Sequence, residues 1–250
     1  MCRRYSIKQL LSLIDTKYGL GKLEYLLSIN WLNIPLSIYV NLRSFPISQA
    51  WKLPLFVYGF PRIYSLSGSM KICSNIIRPG MISFNQVATG APNTTSIKSE
   101  LYNEGSIIFH GFGRIGTGCK IRVAFNATLN IGNQFLITDM CNIGCLKKIT
   151  IGDGTWIVHR CQVLDSNYHY IEDINTHTIP EMSGEISIGK NCWICNSCTI
   201  TKDAKVPDNI IVASNSLISK DYTCIQPYSM IGGIPAKLLK TGCKWYKYRS

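Results

Sequence analysis

From Ile188 onward aliphatic residues return at every sixth position: Ile188, Ile194, Ile200, Val206, Val212 and Ile218. Upstream the spacing recurs with slips, in Ile115 and Ile121, then Ile131, Ile137, Ile143 and Ile149, then Ile151, Ile157 and Val163. Gly follows Ile115, Ile131, Ile143, Ile151 and Ile188. A period of six does not fit the helical turn of about 3.6 residues, but it is a multiple of the strand period of about two. Each hexad therefore reads as one short strand and one turn, with its aliphatic residue pointing inward. Three hexads, about 18 residues, close one triangular coil, and stacked coils pair as parallel strands. The expected fold class is mainly β, a parallel β-helix solenoid.

The position four residues after each aliphatic also points inward, near a corner where space is tight. It holds Cys119, Phe125, Phe135, Cys141, Lys147, Thr155, Cys161, Cys192, Cys198, Ala204, Ile210, Ser216 and Tyr222. Most of these are small. Five of the eleven cysteines are thereby read as small buried hydrophobes and not as a disulfide framework. Cys192, Cys195 and Cys198 have the spacing of a metal or iron–sulfur signature. The repeat sends the first and last of them inward on successive faces, too far apart to share an ion. The four His lack the paired spacing of a zinc site, so no metal is expected.

The flanks do not repeat. Ser6 to Leu27 is rich in Leu, Ile, Lys and Tyr and reads as an amphipathic helix interrupted by Gly19 and Gly21. Residues 28–60 are apolar and aromatic, punctuated by Pro35, Pro46, Pro54 and Pro61. Residues 1–62 are read as a partly helical N-terminal extension that caps the first coil, where strand edges would otherwise stay unpaired. Residues 63–236 form the β-helix domain, starting irregularly around Ile72, Ile76, Ile82 and Ile107. Residues 237–250 are read as a basic C-terminal tail, with a short helix and a basic end over 238–250.

The repeat breaks once in its second half. After Val163 the next in-phase residue is Ile188, which leaves a loop over 164–187. A solenoid tolerates an insertion by looping it out, and such loops carry function. This one is polar and aromatic, with His169, His177 and several carboxylates. A histidine there can act as a general base near neutral pH. Composition alone favours a solvated surface loop.

Charge and composition narrow the field. Apolar residues make up 46% of the 250 and charged residues 16%, which excludes a disordered chain. No apolar run reaches the roughly 18 residues of a spanning helix; Tyr25 to Val40 is interrupted by Asn30, Asn33 and Pro35. Met1-Cys-Arg-Arg-Tyr5 lacks the apolar run of a cleaved signal peptide. The expected compartment is therefore the cytoplasm, where thiols stay reduced. The net charge of +12 sits at the two ends. Residues 1–62 carry 8 basic against 2 acidic side chains, residues 237–250 carry 5 against none, and residues 63–236 carry 13 against 12. Basic ends suit an anionic partner: a CoA-type phosphate, an acidic polysaccharide or a membrane face. Nucleic acid is not expected, since no basic–aromatic run or nucleic-acid motif is present.

Three further segments carry a resemblance. Trp193 opens the Ile194 hexad in Asn191-Cys-Trp-Ile-Cys195. Val212-Ala-Ser leads to Ser219-Lys-Asp221, and Met230-Ile-Gly-Gly-Ile-Pro-Ala-Lys-Leu-Leu239 follows. Together with the loop histidine, these resemble the hexapeptide-repeat acetyltransferases over about residues 63–240. Within them the chain looks most like the sugar O-acetyltransferases of capsule, lipopolysaccharide and exopolysaccharide synthesis. The resemblance implies a left-handed helix, a homotrimer, acetyl-CoA as co-substrate and a carbohydrate hydroxyl as acceptor. By the same resemblance His169, in Asp-x-Asn-x-His-Tyr, matches the catalytic base, and Trp193 the aromatic beside the acyl-transfer site. Asp165, Glu172 and Asp173 are the carboxylates that could orient the imidazole, and Asp165 heads the motif. Cys195 stands where the family usually has Gly against the cofactor, and Lys202-Asp203 stands where Lys-Gly is common. Ala213, Ser219 and Lys220 match positions along the CoA arm, and Lys237 matches the basic residue near the CoA phosphates. An N-acetyltransferase on an amino-sugar and a non-catalytic β-helix scaffold are the competing readings. The N-terminal charge remains divided between an anionic glycan and peripheral contact with a membrane.

Overall fold

A computed structural model of the protein describes residues 31–87 and 97–247; the helix expected over Ser6 to Leu27 lies outside them. Three parallel sheets of nine, seven and six strands form the three faces of a prism, called here the first, second and third face. The hexads distribute over them in rotation. Ile188 pairs with Val206 on the third face, Ile194 with Val212 on the first and Ile200 with Ile218 on the second. Each partner lies three hexads further along the chain, so three hexads make one coil as the period predicts. The fold is a parallel β-helix built of hexapeptide repeats.

Unequal coils cause the upstream slips. On the second face Ile121 pairs with Ile143 and Ile143 with Val163, each step longer than three hexads and the first longer than the second. Val163 pairs with Ile200, a step roughly twice a regular coil, and the excess is the predicted loop. The strands stay in register because the extra residues sit at corners. Their inward side chains fill the prism: Ile137, Ile143, Ile157, Val163, Ile194 and Ile200 are all fully buried. Each such burial stabilises the fold by about 1.5–3 kcal/mol relative to exposure.

The corner between the first and second faces is the most regular. Gly118, Met140, Arg160, Ser197 and Asn215 hold left-handed backbone there, one per coil. The next residue in each coil is Cys119, Cys141, Cys161, Cys198 or Ser216, and all five are buried. These thiols do more than fill space. Cys119 Sγ donates to the Thr138 carbonyl at 2.9 Å, Cys141 to Val158 at 3.3 Å, Cys161 to Cys195 at 3.0 Å and Cys198 to Ala213 at 3.1 Å. Each acceptor is a corner carbonyl one coil further on. Phe125 and Lys147, expected inward, are instead exposed. They lie at the corner between the second and third faces, where the chain bows outward between Val123 and Thr128 and between Cys145 and Lys148.

Both ends are covered. Helix Ile34–Ser44 is capped by Asn33, whose side chain accepts from Leu36 N, and it begins with a Pro in its first turn. Its inner face turns polar groups to the free edge of strand Leu55–Val57. Asn41 Nδ2 donates to Leu55 O at 2.7 Å, and Ser37 Oγ accepts from Val57 N at 2.9 Å. That strand pairs with Ile82–Phe84, so the first face begins inside the stretch read as extension. At the other end Ser229–Gly233 pairs antiparallel with Ala236–Thr241. The short helix expected after residue 236 is therefore a strand, because the last parallel strand gains a hydrogen-bonding partner along its open edge. Gly233 takes a φ of 104°, which only glycine adopts readily, at the turn of this hairpin. Among the described residues no helix is long and apolar enough to cross a membrane.

Candidate active site

The arm leaves the second face after strand Gln162–Leu164 and returns at Glu185–Ile188 on the third. Its root is Asp165, which is fully buried. The Asp165 carboxylate accepts from the backbone N–H groups of Leu146 at 2.7 Å, Lys147 at 2.9 Å and Lys148 at 2.8 Å, one coil below. Burial pushes its carboxyl pKa up, and the three N–H donors pull it back. The arm is then closed as a hairpin. Gly184 N donates to Asp165 O at 2.8 Å, Asn167 N donates to Met182 O at 3.0 Å, and Asp173 bridges Thr178 near the tip. Lys202 Nζ holds the returning limb by donating to Glu181 O at 2.7 Å.

His169 is exposed on this arm, one residue beyond Tyr168. The Tyr168 hydroxyl lies against Gly144, where any side chain would collide with it. That contact fixes the chain just before His169 on the second face. The three candidate orienting carboxylates are engaged elsewhere. Both oxygens of Asp165 serve the backbone, Glu172 pairs with His177 at 3.3 Å, and Asp173 accepts from Asn175 N and Thr176 N in the tip. Among the described residues no hydrogen bond joins any of them to His169. The expectation that Asp165 orients the base is thus corrected: its carboxylate roots the arm.

The residues expected to line a cofactor fall on the two edges of the second face in its C-terminal coils. Cys195 and Ala213 occupy the corner between the first and second faces in successive coils, with Cys195 N donating to Val212 O at 2.9 Å. Gly232 lies so close to Ala213 that a Cβ would strike it, and Lys237 pairs with Gly232 across the hairpin. At the opposite edge Ser219 and Lys220 follow strand Leu217–Ile218, with Lys220 Nζ 5.5 Å from the Tyr222 ring centroid. That edge is the one from which the arm springs. Burial pushes the Cys195 thiol up to about 11, so it stays protonated near neutral pH and is no nucleophile.

Trp193 does not join this group within one subunit. It lies on the first face, between Trp156 and Ile211 in register. Its ring meets Trp245 of the tail at 6.2 Å, and Trp156 meets Trp245 at 5.2 Å. Trp245 Nε1 donates to Asn191 O at 2.7 Å, so the basic tail lies back over the first face. A cavity of about 320 Å³ opens there beside Asn191, Asn209, Tyr228 and Lys244. Sequence reasoning misses Trp156 and Trp245. The signal for the first is present, since Trp156-Ile157 duplicates Trp193-Ile194 one coil earlier.

A hexapeptide-repeat prism with a rooted, histidine-bearing arm defines the class of molecule. No family model matches the chain. Among curated proteins it is similar to a chloramphenicol acetyltransferase of Morganella morganii, 37% identical over 60 residues, which are 24% of this chain and 27% of that one. The chain thus meets that relative over about a quarter of its length. It is also similar to the galactoside O-acetyltransferase of Escherichia coli (strain K12), 23% identical over 147 residues, 57% of this chain and 70% of the other. Among solved structures, the polySia specific acetyltransferase NeuO is 20% identical, covering 82% of this chain and 83% of that one, at a TM-score of 0.45. That last likeness is too distant to carry function. In sequence the chain resembles acetyltransferases, and in fold it is built of hexapeptide repeats.

Proposed function

We propose that the protein is an O-acetyltransferase that moves the acetyl group of acetyl-CoA to a hydroxyl of a sugar or polysaccharide, with His169 as general base. The observation that carries this reading is the convergence on one face. The arm bearing His169 springs from the edge of the second face that also bears Ser219 and Lys220, and Cys195, Ala213 and Lys237 border the opposite edge. This gives a strip one strand wide, with a base at its margin and cations at both sides.

The chemistry follows from these groups. A sugar hydroxyl is a weak nucleophile until a base takes its proton. His169 removes that proton while the hydroxyl oxygen forms the new C–O bond at the acetyl carbonyl. The C–S bond breaks, and the protonated imidazole returns its proton to the departing thiolate. No thiol of the protein is needed as an acyl carrier. Lys220 and Lys237 would hold the anionic parts of the co-substrate by charge.

Within one subunit Trp193 sits on a different face from the arm. We therefore read the working enzyme as a homotrimer, in which the Trp193 face of one subunit turns toward the arm of the next. The ten free cysteines among the described residues suit a reducing compartment, and the cytoplasm is the proposed site of action.

The test is His169→Ala, assayed by mass spectrometry of acetylated product over a panel of sugars with acetyl-CoA. Turnover should fall by about 10²–10⁴-fold, the usual worth of a general base. Because His169 is exposed, the melting temperature should not change. Activity within a few-fold of the parent would remove His169 from the reaction.

A further inference from the structure

The second face continues on the other side of the arm, toward the N-terminal coils, and its outward side chains there serve neither the core nor the residues assigned above. In register, Tyr102 lies beside Arg122 and Arg122 beside Gly144, while Glu100 lies beside Lys120. Tyr64 projects from the neighbouring strand Arg62–Leu66, and Tyr168 of the arm closes the row over Gly144. Together they line a groove of about 410 Å³, within the range of small-ligand sites. The groove ends at Tyr168, so its mouth opens one residue from His169.

We infer that this groove is the acceptor subsite and that it selects a sugar acid, binding the ring against Tyr64 and Tyr168 and the carboxylate on Arg122. The inference rests on the transferase reading above, and it adds the acceptor class. The groove's charges do not cancel. Glu100 is shared by Arg62 at 3.6 Å and Lys120 at 3.5 Å, and Glu104 lies beside the Tyr102 hydroxyl, raising its pKa. Among the described residues Arg122 has no carboxylate within ion-pairing distance. Its guanidinium is instead laid over the Tyr102 ring, 5.2 Å from the centroid. A cation–π contact of this kind holds the guanidinium at the groove without consuming its N–H groups in an ion pair, so they can meet a carboxylate. Arg122 also lies near the far wall. Burial pushes the Tyr168 hydroxyl up, and the Arg122 charge pulls it the other way. An exposed tyrosine ring offers the broad apolar surface on which one face of a sugar ring packs. Glu100 and Asn142 supply acceptors and donors for hydroxyls along the opposite wall. A bare phosphate would use Arg122 but not the tyrosines, so a sugar acid accounts for more of the groove.

The test separates binding from turnover. Calorimetry without acetyl-CoA would measure binding of short oligomers of galacturonic and sialic acid, of the same oligomers after reduction of their carboxyls to alcohols, and of galactose 1-phosphate. One acid oligomer should bind, and carboxyl reduction should weaken it by about tenfold or more, the worth of a charge-assisted pair. Arg122→Gln should impose a similar loss on the acid form and leave the reduced form unchanged. His169→Ala should bind like the parent. The inference is overturned if neither acid binds, if reduction makes no difference, if Arg122→Gln weakens acid and reduced forms alike, or if galactose 1-phosphate binds more tightly than either acid. Binding as expected without acetyl transfer would count against the transferase reading alone.

Discussion

At the corner between the first and second faces the five coils from Gly118 to Asn215 turn in the same way. A left-handed residue is followed by an inward thiol or hydroxyl, and in four coils the thiol donates to the corner of the next coil. At the corner between the second and third faces no such column forms. One coil bows out at Phe125, one turns tightly at Lys147, one opens into the arm, and one turns at Lys202–Asp203. The two corners are made from the same hexads. At the first, left-handed backbone at Met140 and Arg160 carries a strain of order 1 kcal/mol each, held in place by the hydrogen bonds stacked on it. At the second, the turns differ in length from coil to coil, and among the described residues no repeated thiol or hydroxyl links them; Asp165 alone ties the arm's root to the turn at Leu146, Lys147 and Lys148. The regular corner carries the thiol column, and the irregular one carries the arm.

Three outcomes would break or sharpen that contrast. The largest effect belongs to Asp165→Ala, which removes a buried carboxylate that accepts from three backbone N–H groups. The cost should be about 3 kcal/mol or more, read in urea unfolding, and the arm should become the first site of limited proteolysis. An unchanged midpoint together with an arm that resists protease would show that the root lies elsewhere. The middle effect is Cys161→Leu. Overpacking the regular corner should cost about 1–3 kcal/mol while leaving the arm protected. Phe125→Leu at the irregular corner should stay within about 0.5 kcal/mol. Equal costs at the two corners would erase the distinction between them.

The smallest effect is alkaline. The Cys161 thiol, hydrogen-bonded to Cys141, and the buried Cys192 thiol are both pushed up to about 12. In an unfolded chain they ionise at about pH 8.5. A raised folded pKa means that the folded state keeps protons the unfolded state releases. Stability from this source is therefore fully present below about pH 8.5 and falls as pH rises toward about 12. The urea midpoint should decline steadily above about pH 9, with the arm's protease resistance lost no earlier than the global fold. A midpoint that stays flat through that range would mean the thiol column does not hold its protons.

The legible part of the sequence is the part where coils are equal. From Ile188 to Ile218 each coil is three hexads, so the inward aliphatics keep step and the three faces can be assigned by counting. The longer coils from Ile121 to Ile143 and from Ile143 to Val163 put the upstream phase out of step without disturbing the pairing, because register is set by inward burial and not by chain length. The arm is visible as a missing beat. The partner of Asp165 is not, since its contact runs to backbone amides one coil below, and no local spacing marks it. The row Tyr64, Tyr102, Arg122 is hidden for the same reason: it exists only once unequal coils are stacked. The tail reads as helix because residues 236–241 lack strand alternation. Pairing with an open edge outweighs that local preference.

One consequence of the closed arm reaches beyond this molecule. Its two ends are hydrogen-bonded to each other at Asp165 and Gly184, and the rungs on either side pair as if nothing lay between them. Beyond its root at Asp165 the arm is thus a cassette, inserted at a point where the pairing of the rungs does not depend on its length. A prism of this kind can exchange the outer part of one arm for another while its core sequence drifts independently. Selection on the scaffold and selection on the substrate would then act on separate stretches of the same chain.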